Sequence, residues 1–124
     1  MYQTRPTSET RMKNEKSVTP SIDEFKRRFA KDFLDVLILQ QVEAEPVWGY
    51  EIIKKTEMMY NVKLRHGALY PMLNELETKG FVKSRRELQK GRARKIYEIT
   101  NDGKQFLQAW YDFFKEQLLG NAQK

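Results

Sequence analysis

Residues 66–82 read HGALYPMLNELETKGFV, and the periodicity of this stretch decides how its flanks are read. Leu69, Leu73 and Leu76 recur at intervals of four and three, which places them on one face of a helix. Tyr70, Asn74 and Thr78 then fall on the opposite, polar face, with His66 and Gly67 at its start. Pro71 lies in the first turn, where a missing N–H is tolerated. Gly80 closes the helix as a C-terminal cap, so the segment predicts a helix over about 66–79.

Beyond Gly80 the period changes. Phe81, Val82 and SRREL (84–88) alternate as a strand does, and IYEIT (96–100) does the same. The polar link QKGRARK (89–95) has Gly91 near its centre, so the pair predicts a β-hairpin with Lys90, Arg92, Arg94 and Lys95 about its tip. Thr100 offers an N-cap to a last helix over about 101–119, ended by Gly120. The inner face of that helix is aromatic: Phe106, Trp110, Phe113 and Phe114, with Leu107 and Leu118.

Upstream, YNVKLR (60–65) is a short turn carrying Lys63 and Arg65. A helix over 49–59 precedes it, with Tyr50, Ile53 and Met58 expected to face inward. Before that, Ser21 and Glu24 form a capping box that opens a helix stopped by Pro46. Phe25, Phe29, Phe33 and Leu37 repeat along it, with Leu34, Ile38 and Val42 on an adjoining stripe, as suits a core element. Residues 1–20 carry too little apolar surface to offset their ordering entropy and read as a flexible tail, either inert or an arm.

The order is therefore helix, helix, helix, hairpin, helix. The fold class expected is mainly α (α+β): a winged helix-turn-helix over 21–100 with a two-stranded wing, followed by a C-terminal dimerisation helix over 101–120. The aromatic stripe of that last helix fits three uses: its own core, a dimer seam, or a pocket for a flat apolar ligand between Trp110 and Phe113 of two subunits.

Charge is distributed unevenly. The 124 residues hold 23 Lys and Arg against 17 Asp and Glu, a net +6. Residues 61–104 hold eleven basic and five acidic groups, which accounts for the whole excess. Residues 79–95 hold eight basic groups and a single acid, Glu87. So local a concentration predicts a surface that docks on a polyanion. The chain has no Cys and one His, which excludes disulfide frameworks, Cys-ligated or His-rich zinc centres and thiol catalysis. No apolar run approaches the roughly 18 residues needed to span a bilayer, and the N-terminus lacks a signal-peptide core. A cytoplasmic protein with no membrane partner is expected.

In a helix-turn-helix the second helix enters the major groove of double-stranded DNA, where base edges display a full donor and acceptor code. On the third helix Asn74 suits a bidentate contact to adenine, and Tyr70 reaches base or phosphate, with His66 at the helix start. Lys63 and Arg65 before the helix, and Lys90, Arg92, Arg94 and Lys95 on the wing, suit backbone phosphates. Residues 66–78 contain no Lys or Arg, which favours sequence readout over a winged helix that coats DNA generally or binds protein. An enzyme is not expected: His66 is the one candidate general base near neutral pH and no nucleophile accompanies it. No cofactor motif is present in the sequence.

The stretch 66–82, with GYEIIKKTE (49–57) before it and GRARKIYEITNDGKQFL (91–107) after it, resembles the PadR family of transcriptional regulators. The resemblance rests on Gly67, the Leu69-Tyr70-Pro71 triplet, Leu73, Leu76-Glu77, Gly80, Tyr97, Thr100 and Gly103, and covers about residues 29–114. It implies a homodimeric winged-helix repressor on an inverted-repeat operator, dimerised through the C-terminal helix. A single helix after the wing matches the shorter subgroup, some of whose members bind planar aromatic drugs at the dimer interface through a tryptophan of the last helix. Trp110 or Phe113 stands at that position here. Ala68 departs from the Ser or Thr common after the signature glycine, and Arg65 stands where a small capping residue is usual.

Overall fold

The computed structural model describes residues 21–120. The expected tail at 1–20 lies outside the described residues. Ser21 and Glu24 form the reciprocal cap read from the sequence: the Glu24 N–H donates to Ser21 Oγ at 3.1 Å, and the Ser21 N–H donates to Glu24 Oε1 at 3.3 Å. This cap opens α1 (Ile22–Asp32).

One long helix up to Pro46 was expected; the chain instead breaks at Phe33 (φ −120°, ψ 41°) and restarts as α2 (Leu34–Ala44). The break changes which faces are buried. Along α1 only Ala30 is buried, whereas α2 buries seven of its eleven residues, among them Leu37, Ile38 and Leu39. Helix α2 is thus the central rod of the core, and α1 lies across its edge.

Pro46 is followed by a two-residue strand, β1 (Val47–Trp48), which the hairpin reading omitted. Helix α3 (Gly49–Tyr60) then begins, its first turn closed by the Trp48 N–H donating to Glu51 Oε1 at 3.1 Å. Its inner face differs from the one expected. Gly49, Ile52 and Thr56 are buried and Ile53 is half-buried, while Tyr50 is exposed and Met58 is 83% exposed. The phase is set by a buried hydrogen bond between α2 and α3, Gln41 Nε2 to Thr56 Oγ1 at 3.2 Å. Asn61 ends α3 in the left-handed region at φ 56°.

Helix α4 (His66–Thr78) buries Leu69, Leu73 and Leu76, as the periodicity required. Gly80 follows with φ 81°, a conformation that spares only glycine a steric penalty. Strands β2 (Val82–Gln89) and β3 (Arg92–Ile99) pair antiparallel around a two-residue turn, Lys90–Gly91, both at positive φ (52° and 80°). That geometry matches the strand twist of a tight hairpin. The link is therefore shorter than QKGRARK, and Arg92, Arg94 and Lys95 belong to β3. Val47 pairs with Tyr97 and Trp48 with Ile96, so the two-stranded wing of β2 and β3 continues into a three-stranded sheet, ordered β1-β3-β2.

Thr100 joins three elements. Its hydroxyl accepts from the Gly103 N–H at 3.0 Å, capping α5 (Asn101–Leu119), and donates to the Gly80 carbonyl behind α4. Its own N–H donates to the Phe81 carbonyl at 3.0 Å. A side chain at Gly103 would collide with Phe81 and with Ile99 Cγ1, at 2.7 Å, so α5 seats directly on the base of the wing.

Candidate nucleic-acid interface

Helix α4 is fixed from beneath by its leucine stripe, which leaves its outer face to solvent. His66, Tyr70 and Asn74 are all exposed there, with the His66 and Tyr70 rings 5.6 Å apart. The ring of Tyr70 lies on Gly49, so close that a β-carbon at that position would sit 2.7 Å from Tyr70 Cζ.

Tyr70 and Asn74 line one depression of about 340 Å³ together with Trp48, Tyr50, Arg94 and Lys95. The start of α3, the outer face of α4 and strand β3 thus converge on a single surface. Trp48 was absent from the residues singled out from sequence, and Tyr50 was expected to face inward rather than to line this surface. A tryptophan beside a glycine, between a helix-stopping proline and the next helix, was the available signal.

Strand alternation divides the wing cations. Val82, Ser84 and Arg86 share the face of Ile99, Tyr97 and Lys95, which points toward α4; Arg92 and Arg94 lie on the other face. Lys95 Nζ stands 3.7 Å from Glu77 of α4. The Arg94 guanidinium stacks on the Trp48 ring at 3.8 Å from its centroid, and its Nε is buried without a hydrogen-bond partner. Arg85 is neutralised by Glu87 and Glu98, and Lys79 by Glu75 at 3.0 Å. Among the described residues no carboxylate lies within ion-pair distance of Lys83, Arg86, Lys90 or Arg92, which remain available to an external anion. Lys63 and Arg65 are likewise exposed in the turn before α4.

Beneath this surface, Tyr97 is 2% exposed, and its hydroxyl pKa is raised by burial, with smaller contributions from Glu77 and Tyr70. Among the described residues no group of three or more His, Cys, Asp or Glu is gathered to hold a metal ion.

The α5 residues divide into two sets. Leu107 is fully buried in the protomer's own core, and Phe106 stacks on Phe81 at 4.9 Å. Trp110 is half-buried, ringed by Phe29 at 6.4 Å and Phe33 at 6.1 Å and stacked on Phe114 at 5.1 Å. Phe113 (60%) and Leu118 (66%) are exposed, as are Phe114 and Leu119.

Residues 38–109 match the family model of the transcriptional regulator PadR-like family. The chain belongs to the PadR-like family. The match runs from within α2 to the first half of α5 and includes the surface formed by α3, α4 and the wing. Among solved structures, a PadR-like transcription factor from Bacteroides fragilis is 25% identical with a TM-score of 0.67, covering 80% of this chain and 96% of that one. A PadR family transcription regulator from Clostridium difficile is 29% identical with a TM-score of 0.63, covering 74% and 99%. A PadR family regulator from Eggerthella lenta, 24% identical, shares the fold over 90% of this chain with a TM-score of 0.66. No curated protein matches. The protein is thus a PadR-like transcription regulator with a winged-helix DNA-binding fold. No described helix is long and apolar enough to cross a membrane.

Proposed function

We propose that this PadR-like protein is a sequence-specific repressor that binds an inverted-repeat operator as a homodimer. The observation that carries the reading is the shared surface: Tyr70 and Asn74 of α4 face the same depression as Arg94 and Lys95 of the wing. A helix seated in the major groove thereby brings β3 against the adjoining backbone. Tyr70 and Asn74 read bases, and His66 contacts the groove edge. Lys63, Arg65, Lys90, Arg92 and Lys95 hold phosphates. Arg94, stacked on Trp48, presents a fixed guanidinium edge at the junction of the two.

Dimerisation through α5 is supported by its uncovered apolar end, where Phe113, Phe114, Leu118 and Leu119 are exposed together. Phe25 and Ile22 of α1 are exposed as well. A planar aromatic effector entering that seam would meet Phe113, because the face of Trp110 is already stacked on Phe114.

The test is fluorescence anisotropy on the protein's own promoter and on a scrambled duplex, each at two salt concentrations. A preference of about 100-fold, near 2.7 kcal/mol, is expected for the promoter. Equal affinity with a steep salt dependence would assign the surface to general DNA coating instead.

A further inference from the structure

A second concavity lies beside the one assigned to DNA. It opens between α1 and the turn leading into α4, and has a volume of about 650 Å³. Its walls are aliphatic: Ala30 and Leu34 from the helical side, Val62 and Leu64 from the turn, and Ala68 from the first turn of α4. Lys31, Lys63 and Arg65, all three exposed, line it as well, with Gly67. None of the three pairs with a carboxylate among the described residues. An apolar cleft of this size lined by a few polar groups is the usual form of a small-molecule site. Here all the charged residues that line it are positive.

We propose that this cleft binds a free alkyl carboxylate of medium chain length. The chain lies on Ala30, Leu34, Val62, Leu64 and Ala68, and the carboxylate sits among Lys31, Lys63 and Arg65. Aliphatic rather than aromatic walls favour a flexible alkyl chain, and three cations favour an anion over an alcohol. This cleft is separate from the aromatic seam of α5, which shares none of its lining residues.

The position gives binding a consequence. Lys63 and Arg65 are the two cations assigned above to backbone phosphate at the start of α4. A carboxylate held by them competes with that phosphate, so the ligand and the operator exclude one another. This second half rests on the DNA-binding reading; occupancy of the cleft does not.

The two halves are therefore measured separately, on the full chain. First, dansyl-labelled undecanoic acid is titrated into the protein without DNA and displaced by hexanoate, octanoate, decanoate and decanol. Displacement should strengthen by up to about fourfold for each methylene that enters the cleft. Decanol should be at least tenfold weaker than decanoate. Lys31→Glu should weaken decanoate at least tenfold, and Ala68→Phe, which fills the cleft from an exposed position, should abolish displacement. Both variants keep the residues assigned to DNA, and circular dichroism confirms their folding. A folded Ala68→Phe that binds decanoate as the parent does overturns the proposal. So does probe binding lost only on Phe113→Ser, which would move the ligand to the seam. Absence of probe binding overturns it as well.

Second, decanoate is added to the protein–promoter complex. Release from the parent but not from Ala68→Phe is expected. Decanoate binding without release leaves the site in place and overturns the competition. Failure of the parent to bind the promoter at all would instead overturn the DNA-binding reading.

Discussion

The ring of Tyr70 rests on the α-carbon of Gly49, so the outermost aromatic of α4 takes its position from the first residue of α3. The two helices of the motif meet at a point where only a hydrogen fits. Gly49→Ala must push the ring aside. Gly49→Ala is expected to weaken promoter binding at least tenfold while reducing affinity for scrambled DNA much less, because phosphate contacts are untouched. Anisotropy on both duplexes checks it; equal losses would mean that Tyr70 does not read sequence.

Gly67 offers the contrast, since a β-carbon there meets nothing within 4 Å. Replacing glycine by alanine in a helix stabilises by roughly 0.5–1 kcal/mol. Gly67→Ala should raise the melting temperature. A simultaneous fall in DNA affinity would show that the backbone at the start of α4 approaches the duplex closely.

Arg92 and Arg94 should behave differently although they stand two residues apart. Arg92 lies free near the wing tip, so Arg92→Ala should weaken promoter and scrambled DNA alike and lower the salt slope by about 0.9 for one lost phosphate. Arg94 is stacked on Trp48. Arg94→Lys keeps the charge but loses the planar stack, and should reduce promoter preference with little change in slope. Log–log salt titrations of both variants decide.

Gln41 and Thr56 pair inside the core through the Gln41 amide nitrogen, while the amide oxygen of Gln41 is already without a partner. Thr56→Val leaves the amide N–H groups unsatisfied as well and should cost about 1–3 kcal/mol. Removing both partners with Gln41→Leu and Thr56→Val should recover much of that loss. Urea unfolding of the two single variants and the double variant measures the coupling.

Two tyrosines set an alkaline limit. Burial, with a lesser contribution from Tyr111, raises the Tyr60 hydroxyl above the ordinary 10.0, and burial with Glu77 and Tyr70 raises Tyr97. The fold therefore holds these protons more tightly than the unfolded chain does. Their stabilisation is complete below about pH 10 and is lost as pH rises through the higher folded values. Thermal melts should fall as pH rises above about 10, and fall less for Tyr60→Phe with Tyr97→Phe.

The leucine stripe of α4, the hairpin and the Thr100 cap were readable because each is a local pattern, a period or a turn residue whose cause lies within a few positions. Three features were not local. Around Phe33 the chain is apolar on nearly all sides, so a break changes no period that a reader could detect. Helix α3 has more large apolar residues than one face accommodates, and its phase depends on Thr56 meeting Gln41 from another helix. Strand β1 has two residues, and only pairing with Tyr97 and Ile96, about fifty positions away, makes it a strand. The wing cations are adjacent in the sequence, but their division between two faces depends on register. A turn of two residues, rather than a longer link, decides which way each one points.

Thr100 has a consequence for how the molecule moves. One hydroxyl and one amide tie the exit of α4, the root of the wing and the start of α5 into a single knot. The helix proposed to meet DNA and the helix that carries the apolar end are thereby tied through one residue. In the dimer proposed above, the distance between the two reading heads is then geared to the angle at which the α5 helices cross. In that proposed dimer a rotation at the seam would carry α4 with it, and the seam would set which operator spacing the pair can straddle.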